Sequence, residues 1–124
     1  MNNLQNCTVV DSAVCDREGT LAFSAAGWSS SMARLSSDGE LAVPSTTLDI
    51  CIYGEKRFRP PNVIKIDVEG AELGVLAGAA RAICEFHPMI FLEDHEAELH
   101  RSCRDFLLAK GYRVDSRYGQ LTAT

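Results

Sequence analysis

The sequence predicts an α/β fold organised around two parallel strands, and three observations carry that prediction. Residues 63–68 are an apolar run that ends in Asp67, Glu69 and Gly70, and residues 89–95, MIFLEDH, repeat the pattern. Between them Leu73, Leu76, Ala80 and Ile83 recur at a helical period. A strand, a helix and a strand at this spacing form a βαβ unit. Its crossover is right-handed in nearly every known case, which makes the strands parallel. Open α/β sheets place their chemistry above the carboxyl ends of the strands, where both acidic bursts fall.

Ahead of this unit the patterns are shorter. Thr8, Val9 and Val10 form a β-prone run that Ala13 and Val14 extend, and Arg17-Glu18-Gly19 reads as a turn into a second strand at residues 20–23. Residues 24–39, rich in Ser, Ala and Gly, read as a loop anchored by Trp28. Residues 40–43 make a strand that Pro44 ends. Thr46 or Thr47 then caps a brief helix with Leu48, Cys51 and Ile52 on one side.

The second half is more regular. After the strand at 63–68, residues 71–86 suit a single helix that Pro88 stops, and residues 89–92 form the next strand. Residues 96–110 make an amphipathic helix with Leu99, Cys103, Phe106 and Leu107 on one face, closed by Gly111 as a left-handed cap. Tyr112-Arg113-Val114 opens a last strand, and the tail after Tyr118 is expected to be loose. Gly70, Gly74 and Gly78, four apart, make a bare stripe that lets the helix approach the sheet closely.

At 124 residues the chain is a single domain, and 46% hydrophobic with 23% charged residues is the balance of a folded globular protein. The net charge of −5 argues against a nucleic-acid or anionic-membrane surface, because phosphate binding runs on Lys and Arg. Lys56, Arg57 and Arg59 cluster before two prolines and read as a solvated loop. The five cysteines form no C-x-x-C pair and no metal-ligand spacing, which fits reduced thiols in a cytoplasmic protein. No stretch has the pattern of a signal peptide or the ~20 apolar residues of a membrane helix.

Side chains alternate along a strand, so Ile64, Ile66 and Val68 share one face and Lys65, Asp67 and Glu69 the other. Neighbouring strands lie ~4.8 Å apart, so Asp67, Glu69, Glu93 and His95 are expected to meet at one rim. Three readings of that rim stay open. A carboxylate or His95 can act as a general base toward a hydroxyl. Asp67, Glu69 and Glu93 can hold Mg²⁺ through oxygen ligands. Or the acids simply favour a helix N-terminus and pair with Lys65. His87 and His100 read as helix-end charge and surface. P-loop, zincin and hydrolase-elbow motifs are absent from the sequence.

The run VIKIDVEGAELGVLAGA, followed by PMIFLEDH and KGYRV, resembles the FkbM family of S-adenosylmethionine-dependent methyltransferases. VVDSAVCDREGTLAF and STTLDICI are compatible with its earlier elements, so the resemblance covers residues 7–114. It implies a class I methyltransferase fold, a seven-stranded Rossmann-like sheet. It also implies S-adenosylmethionine as cofactor and methyl transfer to an oxygen, often a hydroxyl of a small molecule or glycan. By motif position it assigns catalytic roles to Asp67, Glu69, Glu93 and His95. Ser12 and Ala13 fall beside the adenine, with Asp67 close to the methyl group, and no metal is called for.

One departure stands out. No G-x-G occurs anywhere, and a polar leader, residues 1–6, precedes what resembles the third strand. The chain is therefore expected to be a partial methyltransferase domain, 1–124, running from the third strand onward. Its sheet is incomplete, with the first two strands missing and residues 119–124 loose. Open sheet edges then predict self-association. Two other functions compete: an interaction module that pairs through an open edge, and a metal-dependent α/β phosphotransfer or hydrolase domain.

Overall fold

A computed structural model describes residues 4–24, 34–35, 41–54, 58–94 and 96–124. The elements run β1 (Ala13–Val14), β2 (Gly19–Ser24), β3 (Arg34–Leu35), β4 (Leu41–Thr46), α1 (Leu48–Tyr53), β5 (Val63–Asp67), α2 (Glu72–Gly78), α3 (Ala80–Phe86), β6 (Met89–Glu93), α4 (Ala97–Ala109), β7 (Val114–Arg117) and β8 (Gln120–Ala123). The described strands form two sheets, ordered β1-β4-β2-β3 and β5-β6-β8-β7. The sheet was expected to be incomplete, with its first two strands missing. Among the described strands, β1 pairs with β4 only and β5 with β6 only.

The βαβ unit is as its pattern predicts. β5 and β6 are parallel and in register from Val63↔Met89 to Asp67↔Glu93. Ile66, Ile90 and Leu92 are buried on one face, where Val75, Leu76, Ala79 and Ile83 of the crossover and Cys103 and Leu107 of α4 cover them. Each fully buried aliphatic side chain here stabilises the fold by about 1.5–3 kcal/mol. The opposite face carries Val63, Met89 and Phe91 exposed.

The crossover is two helices instead of one. Ala79 leaves helical geometry at φ −110°, ψ 6°. The helix is interrupted where Gly78 presses against the carbonyl of Cys15. The first N–H groups of α3 are taken up from outside: the Asp49 carboxylate accepts from Arg81 N and Ala82 N, both at 2.9 Å. A carboxylate at a helix start also suits the helix dipole. Asp49 is held there because Thr47 caps α1, its hydroxyl accepting from Ile50 N at 3.0 Å. The bare stripe thus serves the approach of α2 to the β1–β2 turn.

Four further expectations are corrected. Residues 8–10 lie outside any strand, since Val9 is exposed and has no surface to pack on. β4 runs through Pro44; β1 pairs only with Ser45 and Thr46, so at Pro44 one side of the strand has no ladder to lose. Arg34–Leu35, expected within a loop, pairs antiparallel with β2, while Trp28 lies outside the described residues. Residues 120–123, expected to be loose, are β8, wedged between β6 and β7 with Leu121 and Ala123 buried. Tyr118 (φ 52°) and Gly119 (φ 76°) form the two-residue left-handed turn that a tight hairpin requires. Gly111, at φ 85°, follows α4 as expected.

Candidate functional site

The register of β5 and β6 sets Asp67 directly opposite Glu93 at the carboxyl ends of both strands. The two carboxylates share a cation. Lys65 Nζ lies 2.9 Å from Glu93 Oε1 and 3.5 Å from Asp67 Oδ2. The hydrogen bond to Glu93 holds the Lys65 amine above the usual lysine range, with both acidic charges reinforcing it against partial desolvation. Gln120 of β8 donates to the same Glu93 oxygen at 2.8 Å. The rim therefore presents two partly exposed carboxylates kept together by one lysine. His95 lies outside the described residues, as do Lys56 and Arg57.

Glu69 lies beyond the end of the strand. The strand stops at Asp67, and the chain turns through Val68 to Gly70, whose N–H donates to Val68 O at 2.9 Å. Gly70 takes φ 90°, a backbone state that side chains resist. Strand alternation is lost at that turn, and Glu69 instead borders an apolar cleft of about 200 Å³ with Ala13, Val14, Leu21, Phe23 and Val68. Ser12 opens on a different cleft of about 300 Å³, with Glu18, Ser45 and Thr46. Ser12 and Ala13, adjacent in sequence, thus serve different hollows. Among the described residues no group of three or more His, Cys, Asp or Glu is placed to hold a metal ion.

A model of the FkbM methyltransferase domain matches residues 1–114. The chain belongs to the FkbM methyltransferase family. Searches of curated proteins and of solved structures found no match. Family membership places the strand-to-helix junction at residues 67–72 within a methyltransferase domain, and the geometry adds residues that the motif reading passed over.

Glu72, in the first turn of α2, is buried, with Oε1 accepting from Gly70 N at 3.2 Å and Oε2 without a partner. Cys103 of α4 lies near it. Burial pushes the Cys103 thiol up to about 12, and the charges of Glu72 and Asp94 add to the effect. Asp94 is buried as well, and His100 bonds to it at 2.8 Å. His100, expected at the surface, has a side chain only 23% exposed. The helical period did place it on α4. Its partner was hidden, because Asp94 follows the end of β6 and strand alternation says nothing about which way it points.

No described helix is long and apolar enough to cross a membrane.

Proposed function

We propose that the domain transfers a methyl group from S-adenosylmethionine to a hydroxyl oxygen of a small molecule or glycan, at the rim formed by Asp67 and Glu93. The observation that carries this reading is the pairing of two carboxylates across parallel strand ends in a methyltransferase-family domain. When bound, S-adenosylmethionine supplies an electrophilic methyl group on a sulfonium. The chain's own task is to hold the acceptor hydroxyl and draw off its proton. Glu93 already accepts from Lys65 and Gln120, whereas among the described residues Asp67 receives Lys65 alone, at the longer distance. Asp67 is thus the better-placed base, with Glu93 holding Lys65 and orienting the acceptor. The family resemblance also assigns a catalytic role to His95.

The residues present fit one end of the cofactor. The cleft of Ala13, Val14, Leu21, Phe23 and Val68 offers apolar walls to a flat base, and Glu69 offers a carboxylate to a hydroxyl or amine at its margin. Ser12 belongs to the neighbouring hollow. The sequence has no G-x-G turn to bring backbone against the rest of the molecule. Titration with S-adenosylhomocysteine is therefore expected to show weak binding by this chain. Supplying a segment with a glycine-rich loop, fused or in trans, is expected to strengthen it and to yield methyl transfer that Asp67→Asn abolishes. No gain in affinity on adding that segment overturns the reading.

One observation supports association as well. β5 ends its sheet among the described strands, and Val63, Met89 and Phe91 are exposed on its open face, so a second copy can pair there. Sedimentation as a monomer at every concentration removes this reading.

A further inference from the structure

Asp94, His100 and Ser116 form one hydrogen-bonded line from the interior to the surface. The Asp94 side chain is 3% exposed, and its Oδ2 lies 2.8 Å from His100 Nδ1. His100 Nε2 lies 2.7 Å from Ser116 Oγ. A buried carboxylate facing Nδ1 keeps the proton of a neutral imidazole on that nitrogen. Nε2 is then left with a lone pair, and the Ser116 hydroxyl is its donor. The three residues come from three places, the end of β6, α4 and the edge strand β7, so the line is a product of the fold and not of local sequence.

The backbone fixes the arrangement. Asp94 N donates to Gly119 O at 3.1 Å, which ties the carboxylate to the hairpin that carries the serine. Arg113 and Thr124 exchange both backbone hydrogen bonds across β7 and β8. Pairs alternate along an antiparallel ladder, so Ser116↔Leu121, three residues on, is a pair without such bonds. The N–H of Ser116 therefore points to the outer side of β7, which has no described neighbour. A nucleophile's own N–H is one of the donors that stabilise the oxyanion in acyl transfer. Ser116 is exposed and lines none of the clefts described above, which suits a small, unhindered acyl group.

The geometry points to Ser116 as a nucleophile toward activated acyl esters, with His100 as its base and Asp94 as a positioning residue. Ser116 Oγ bonds to the ester carbonyl carbon as its proton passes to His100 Nε2 and the carbonyl electron pair moves onto oxygen. The adduct then collapses: the carbon–oxygen bond to the leaving alcohol breaks, and that oxygen takes the proton from Nε2. Water repeats the sequence on the acyl-serine and releases the acid, so the balance is ester plus water to acid plus alcohol. Asp94 exchanges no proton in these steps. Asp67 and Glu93 take no part, so this site stands or falls independently of methyl transfer.

The test uses the whole chain with p-nitrophenyl acetate and, separately, an alkyl fluorophosphonate, whose fluoride leaves as Oγ bonds to phosphorus. The modified residue is mapped by peptide mass spectrometry. Modification is expected at Ser116, absent in Ser116→Ala, and slowed about 100-fold or more in His100→Gln, the usual range for loss of a general base. Ser12 is the internal reference, since its half-buried hydroxyl donates to the Asp11 carbonyl and, among the described residues, bonds to no imidazole. Both variants sit on side chains with solvent access, and a cooperative melt confirms that each folds. Labelling of Ser116 no faster than of Ser12, or undiminished in His100→Gln, overturns the proposal.

Discussion

Gly78 meets the carbonyl of Cys15 with no room for a side chain between them. A Cβ built on Gly78 would overlap that backbone oxygen, whereas one on Gly74 finds its nearest neighbour, Asp16 N, at 3.9 Å. Two glycines in one short helix thus make opposite predictions. Gly78→Ala forces α2 away from the β1–β2 turn and is expected to cost about 1–3 kcal/mol, the usual range for overpacking. Gly74→Ala gains helix propensity in ordinary contact and is expected to stabilise by about 0.5–1 kcal/mol. Urea denaturation of the two variants checks the contrast; equal effects would refute this account of the contact.

The Asp49 carboxylate does for α3 what a local capping residue does for most helices. Asp49→Ala leaves the N–H groups of Arg81 and Ala82 without their acceptor and is expected to cost about 1 kcal/mol, within the range for lost helix caps. Asp49→Asn keeps an acceptor oxygen and should cost less. Hydrogen exchange at Arg81 and Ala82 localises the effect: both amides should exchange faster in Asp49→Ala, and unchanged protection there contradicts the capping role.

What could be read from the sequence followed the reach of each signal. The βαβ unit was legible because its apolar runs and helical period are local, and the register of Asp67 with Glu93 follows once two strands are parallel and adjacent. Alternation could not place Glu69, because it lies past the last strand residue, in a turn. β8 escaped notice because four residues with two buried positions resemble a tail until β6 is there to pair with them. The break at Ala79 depends on the Cys15 carbonyl, sixty-odd residues away in sequence, which no helical pattern contains. The Asp94–His100–Ser116 line has the same character, joining three elements by contacts that spacing alone does not reveal.

Cys103 makes the stability of the domain sensitive to alkali. In the folded chain its thiol resists ionisation up to about 12, against 9.0 for an unperturbed thiol. A group whose folded value is raised contributes its full stability below the unfolded value and loses it as pH climbs toward the folded one. Stability is therefore expected to decline from about pH 9 toward pH 12, and Cys103→Ala should remove that part of the slope. Thiol titration offers a direct check. In the native chain the exposed Cys7 and Cys84 should react with Ellman's reagent, while Cys103 should react only in denaturant. Rapid modification of Cys103 without denaturant would contradict its burial.

Lys65 is the only described cation bridging Asp67 and Glu93, so its removal tests how far the rim depends on charge balance. Lys65→Met keeps the length of the side chain and leaves the two carboxylates facing each other across neighbouring strands. Like charges so placed destabilise the pair. The variant is expected to melt lower than the parent at neutral pH, with the deficit shrinking as salt screens the two charges. In the parent chain the contribution of Lys65 depends on its own charge. Its folded value is raised, so that contribution is complete below the ordinary lysine value of 10.5 and fades as pH rises beyond it. Melting curves of both proteins at neutral pH, at low and high salt, decide the matter. A deficit that ignores salt means that the lysine acts through its aliphatic stem, and the electrostatic account of the rim fails.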